Sequence, residues 1–98
     1  MLVKEKKISC TNATAVKREV IAAARAGDAV LDLSAVEALD SSAVAIVLAW
    51  IRVLQEKNAA PVLQGVPEKL LTLARLYGVK GLIEPFASAP GAKQSARG

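Results

Sequence analysis

Ninety-eight residues, 53% hydrophobic and only 3% aromatic, make one compact domain and leave no room for a two-domain enzyme. Thirteen Lys+Arg against nine Asp+Glu give a formal charge of +4, and all of it lies at the ends: Lys4, Lys6 and Lys7 against Glu5, then Lys93 and Arg97, with eight bases and eight acids balanced over residues 8 to 86. A neutral body with few aromatics lacks the basic, stacking face of a nucleic-acid binder.

The chain opens on a short strand within Met1 to Cys10, where Lys4, Lys6 and Lys7 suit an exposed edge because charge there blocks pairing with another chain. Thr14 to Ala26 predicts a helix. Val16, Val20, Ala23 and Ala24 share one face, Thr11, Asn12 and Thr14 can cap it, and Gly27 follows as a terminator. AVLDL at 29 to 33 is short and apolar, as a buried parallel strand is.

Ser41 to Lys57 predicts the central helix, with Ser41 and Ser42 as caps and Asn58 at its end. Val44, Val47, Leu48, Ile51 and Leu54 form its main face. A second stripe, Ala43, Ile46, Trp50 and Val53, widens the apolar surface past half the circumference, so this helix is covered on two sides. For Trp50, the only tryptophan, core and interface both remain open.

PVLQG at 61 to 65 predicts a strand, with Pro61 at its first residue and Gly65 turning out of it. A third helix starts with Pro67 at its first position and Glu68 in its first turn, buries Leu70, Leu73, Ala74 and Tyr77, and stops at Gly78. GLIEPF at 81 to 86 is expected to be the last strand, and residues 87 to 98, rich in Ala, Gly and Ser, a flexible tail. Strands alternating with helices predict an α/β domain over residues 1 to 86, with about four strands in a small, mainly parallel sheet and three helices.

The residues present narrow the chemistry. With one cysteine, Cys10, and no histidine, an internal disulfide, a Ser-His or Cys-His nucleophile and the usual zinc ligand are all missing, so neither a metal nor a cofactor is expected. The phosphate-binding glycine motifs and the nucleophile elbow are missing too. Asp32, Glu37 and Asp40 suit caps and turns better than a carboxylate pair. The start lacks a signal-peptide pattern and the longest apolar run, Ala43 to Ile51, is nine residues, against about 20 for a membrane span, so a cytoplasmic location without direct membrane insertion is expected.

DLSAVEALDSS at 32 to 42 stands out, because it leads from a buried strand into a serine-headed helix. VLDLSAVEALDSSAVAIVLAW resembles the STAS domain family, named for sulfate transporters and anti-sigma factor antagonists, whose hallmark is a strand ending D-L-S followed by D-S or D-T at a helix start. LQGVPEKLLTLARLYGV, residues 63 to 79, resembles its MlaB-like members, small subunits of the Mla phospholipid ABC transporter. The G-E-L-D-like turn common before the first helix of STAS domains is absent. The resemblance implies a SpoIIAA-like fold and a non-catalytic role. It places the family's phosphorylated or partner-contacting residue at Ser41, with Asp40 before it and Ser42, Ile46, Trp50 and Val53 as further contact candidates. The implied partner is the ATPase subunit of an ABC transporter, supporting phospholipid transport and outer-membrane lipid asymmetry. The alternative is the kinase-like partner of an anti-sigma factor antagonist switched by phosphorylation of Ser41, and a weaker third reading binds a nucleotide or small anion at the helix start.

Overall fold

The computed structural model describes residues 1–88, and the rest of the expected tail lies outside the described residues. The elements are β1 (Lys7–Ile8), α1 (Ala13–Arg25), β2 (Val30–Asp32), β3 (Ala38–Leu39), α2 (Ser41–Glu56), β4 (Val62–Gln64), α3 (Glu68–Leu76), α4 (Lys80–Ile83), a 3-10 turn (Glu84–Phe86) and β5 (Ala87–Ser88). All strand pairing is parallel, as strand–helix–strand crossovers require.

The strands form two small sheets rather than a single four-stranded one: β2, β4 and β5 in the order β2-β4-β5, and β1 beside β3. The N-terminal segment explains the division. It first runs along β2, where Val3 N–H donates to the Asp32 carbonyl at 3.0 Å and Asp32 N–H to the Met1 carbonyl at 2.8 Å, and then crosses to pair Lys7 with Ala38 and Ile8 with Leu39. Lys4, Lys6 and Lys7 are all exposed along this segment.

The strand expected at 81 to 86 is instead α4 and the 3-10 turn. Only Ile83 of that stretch is fully buried while Leu82 is 59% exposed, which is one inward side chain per helical turn rather than the alternation of a strand. Pro85 sits in the first turn of the 3-10 helix, where its missing N–H costs nothing. The last strand comes later, at Ala87–Ser88, inside the stretch assigned to the tail.

The core gathers Val16, Val20 and Ala24 of α1 with Leu31, Leu33 and Leu63 from the strands and Leu70, Ala74 and Ile83 from beyond them. Its largest share comes from α2, where Ala43, Val44, Ile46, Val47, Trp50, Ile51 and Leu54 are all buried. Packed against α1 on one side and against α3 and α4 on another, α2 is covered on two sides. Pro67 is the N-cap of α3, with extended backbone at φ −65 and ψ 140, rather than its first helical residue. Tyr77, expected in the core, is 59% exposed, because α3 ends at Leu76 and Tyr77 is its C-cap.

Candidate functional site

The site grows from the turn that joins β2 to α2. Asp32 closes the strand by accepting the Ser34 N–H at 2.9 Å, and the Ser34 hydroxyl and N–H hold its carboxyl below the usual carboxylate range. Leu33, Val36 and Leu39 are buried and anchor the turn, so the chain arrives at Asp40 in a fixed direction.

Asp40, rather than Ser41 or Ser42, is the N-cap of α2. Its Oδ1 accepts the Ser42 N–H at 2.9 Å and the Ser42 hydroxyl, and its Oδ2 accepts the Cys10 N–H at 3.3 Å. Its own N–H donates to the Ile8 carbonyl at 3.1 Å. The bonds that its carboxylate accepts favour the charged form, and the Ser42 hydroxyl is the largest cause of a carboxyl held below its ordinary pKa. Asp40 therefore ties the head of α2 to the end of β1, and the Ser42 hydroxyl is engaged in that tie.

Ser41, one residue on, stands exposed at the first position of the helix, and its hydroxyl makes no hydrogen bond among the described residues. It opens onto a shallow apolar concavity of about 240 Å³ whose other walls include Ala45, Leu48, Tyr77 and Val79. Through Leu48 this concavity adjoins a second of about 330 Å³ that reaches Arg52, Leu82 and Phe86.

The contact candidates divide accordingly. Ser41 lies on this face. Ile46 and Trp50 are 4% and 1% exposed and belong to the core, and Val53 is half-buried against it. The second stripe of α2 thus faces inward, because the domain packs α2 on two sides and leaves only a third, narrower stripe outside. That outer stripe carries Ala45 and Arg52, and Tyr77 and Leu82 line the concavities beside it; none of the four is a contact candidate from the sequence. The spacing Ser41, Ala45, Leu48, Arg52 and Gln55 was present as a signal, but its mixed polarity does not mark a face by hydrophobicity.

Among the described residues no group of His, Cys, Asp or Glu is placed to hold a metal ion, and no helix is long and apolar enough to cross a membrane.

A small α/β domain with parallel strands, an aspartate-capped central helix and an exposed serine at its head defines a class of scaffold. The family model described as "Mlab, STAS domain" matches residues 7–84, and the chain belongs to the STAS domain family, whose members are commonly protein-interaction modules. No curated protein matches the chain closely enough to count as a relative.

Proposed function

We propose that this protein is a non-catalytic cytoplasmic subunit that docks on the ATPase of an Mla-like ABC transporter, at the inner face of the inner membrane, and so supports phospholipid transport. The observation that carries the reading is Ser41, exposed at the head of α2 beside an apolar concavity. A small side chain there lets a partner approach closely, and Leu48 and Tyr77 supply apolar contact. The family description names the MlaB type, which favours a transporter subunit over other STAS roles.

The test is affinity purification of the tagged chain from its native host. An ABC ATPase co-purifies, and Ser41→Trp or Ser41→Asp lowers its recovery about tenfold, the loss expected at a residue central to an interface. Ser41→Asp keeps the fold, since a carboxylate at a helix N-terminus is favoured by the dipole. Lys17→Asp, on the exposed side of α1, leaves recovery unchanged. Full recovery with both Ser41 variants refutes the interface.

The accessibility of Ser41 also favours a second reading, the phosphorylation-controlled antagonist. Phosphate adds about −1.5 to −2 charges, directly after the ionised Asp40, and would expel a docked kinase-like partner. Mass spectrometry of protein from growing and starved cells then finds phosphate on Ser41; an unmodified Ser41 in every condition eliminates the switch.

A further inference from the structure

Among the described residues no hydrogen bond joins β1 or β3 directly to β2, β4 or β5, and the residues ahead of β1 make the link. They lie along β2, where the Asp32 N–H donates to Met1 and the Asp32 carbonyl accepts from Val3, and the Met1 ammonium stands 2.7 Å from Asp28. Val3, 1% exposed, is the one fully buried side chain of residues 1–6. Lys4 and Glu5 then make no backbone hydrogen bond among the described residues. They border a concavity of about 480 Å³ that Leu2, Glu19 and Ala23 also line, so the crossing between the sheets is unfilled on its α1 side.

Beyond the crossing, the same segment carries the turn ahead of α2. The Lys6 carbonyl accepts the Glu37 N–H at 2.7 Å and the Ala38 N–H at 3.0 Å, and the Ile8 carbonyl accepts the Asp40 N–H at 3.1 Å. The Cys10 N–H reaches the Asp40 carboxylate at 3.3 Å. Apart from bonds to their own neighbours in sequence, residues 37–40 thus bond only to residues 6–10 among the described residues. Ile8 and Leu39 each add a buried side chain, yet a pair of two-residue strands has little stability by itself. The other edge of β2 belongs to the larger sheet, with the Leu33 N–H donating to Gln64 at 2.9 Å and the Val62 N–H to Ala29 at 2.8 Å. Asp32 and Leu33, adjacent in sequence, therefore donate to opposite sides.

We infer that residues 1–10 and the turn 37–40 open as one unit, a strap that fixes the head of α2 while Val3 is seated and frees Asp40, and with it Ser41, when it lifts from an otherwise folded domain. Sub-global openings belong to segments of this kind, with few buried contacts and exposed backbone. The consequence for docking rests on the reading above: a partner that needs Ser41 in its fixed direction meets a competent surface only while the strap is seated. The coupling itself is a property of the free chain.

Hydrogen exchange of the isotopically labelled full chain tests it, in the regime where exchange follows the opening equilibrium. The amides of Val3, Asp32, Glu37, Ala38 and Asp40 share one protection factor, lower than that of Leu33 and Val62. Val3→Ala, which removes two buried methyl groups, raises exchange at all five about tenfold. Ile83→Val, in α4 and outside the unit, raises exchange at Leu33 and Val62 about fivefold and leaves the five unchanged. Equal protection throughout, or an Ile83→Val chain in which both sets rise alike, makes the strap part of global unfolding and overturns the inference. So does a Val3→Ala chain in which Val3 and Asp32 exchange faster while Glu37, Ala38 and Asp40 do not. No partner enters this experiment, so its failure leaves the transporter assignment standing; a chain that shows this pattern but recovers no ATPase loses the transporter assignment alone.

Discussion

Asp40, Ser41 and Ser42 are all good N-cap residues, so the sequence pattern places the head of α2 only to within a residue or two. What selects Asp40 is its own N–H bonded to Ile8 and the Cys10 N–H bonded to its carboxylate, both contacts about thirty residues away along the chain. The choice has a functional result, since it engages Ser42 and leaves Ser41 outward. It also has a pH signature. With the folded carboxyl titrating below its unfolded value of about 3.9, the stability it contributes is complete above that pH and is lost as pH falls through the depressed folded value. Asp40→Asn keeps a capping side chain but cannot titrate, so wild type is the more stable at neutral pH and the gap in denaturation midpoint narrows as pH falls through and below the ordinary carboxylate range. A gap that does not change with pH refutes the role given to the ionised carboxylate.

At the level of elements, α2 was legible in its limits and in its two-sided burial, because sixteen residues with a repeating apolar pattern leave little choice of period. Whether its second stripe met the core or a partner was not legible: an apolar side chain looks the same in either place. The structure puts Trp50 in the core at 1% exposure. Trp50→Ala therefore costs about 3–5 kcal/mol in urea denaturation, the usual penalty for emptying a large aromatic site. In the free wild-type chain, Trp50 emission is blue-shifted and resists acrylamide quenching; ready quenching refutes its burial. Short elements were hardest to read. β3 is two residues long, below any periodic signal, and α4 is a single turn followed by Pro85 of the 3-10 turn, which reads in the sequence as the stop of a strand.

At the level of the whole molecule, the sheets are assembled by segments distant in sequence. Leu33 N–H donates to the Gln64 carbonyl at 2.9 Å, and just beyond it Gly65 turns with φ +62, so close to Ser34 that an added Cβ would lie 2.7 Å from the Ser34 Cβ. Gly65 thus does more than end a strand, because it lets the exits of β2 and β4 pass at contact distance. Gly78 provides the comparison, with φ +73 and open space where a Cβ would go. Gly78→Ala costs roughly 1–2 kcal/mol for the left-handed backbone alone, and Gly65→Ala costs about 1–3 kcal/mol more for the collision. Equal losses for the two variants in thermal or chemical unfolding contradict the close approach.

By itself the sequence determined the α/β class, the three long helices, strands within 29–33 and 61–65 and the family to which the chain belongs. These follow from local periodicity, turn residues and a motif, all of which are written in neighbouring positions. Only the tertiary structure decided that the N-terminal segment pairs first with β2 and then with β3, that Asp40 caps α2, and that Trp50 turns inward while Tyr77 and Leu82 remain outside. Each of these depends on which surfaces meet across the fold. The outward face of α2 is what remains after α1, α3 and α4 have covered the rest, so no local pattern could mark it in advance.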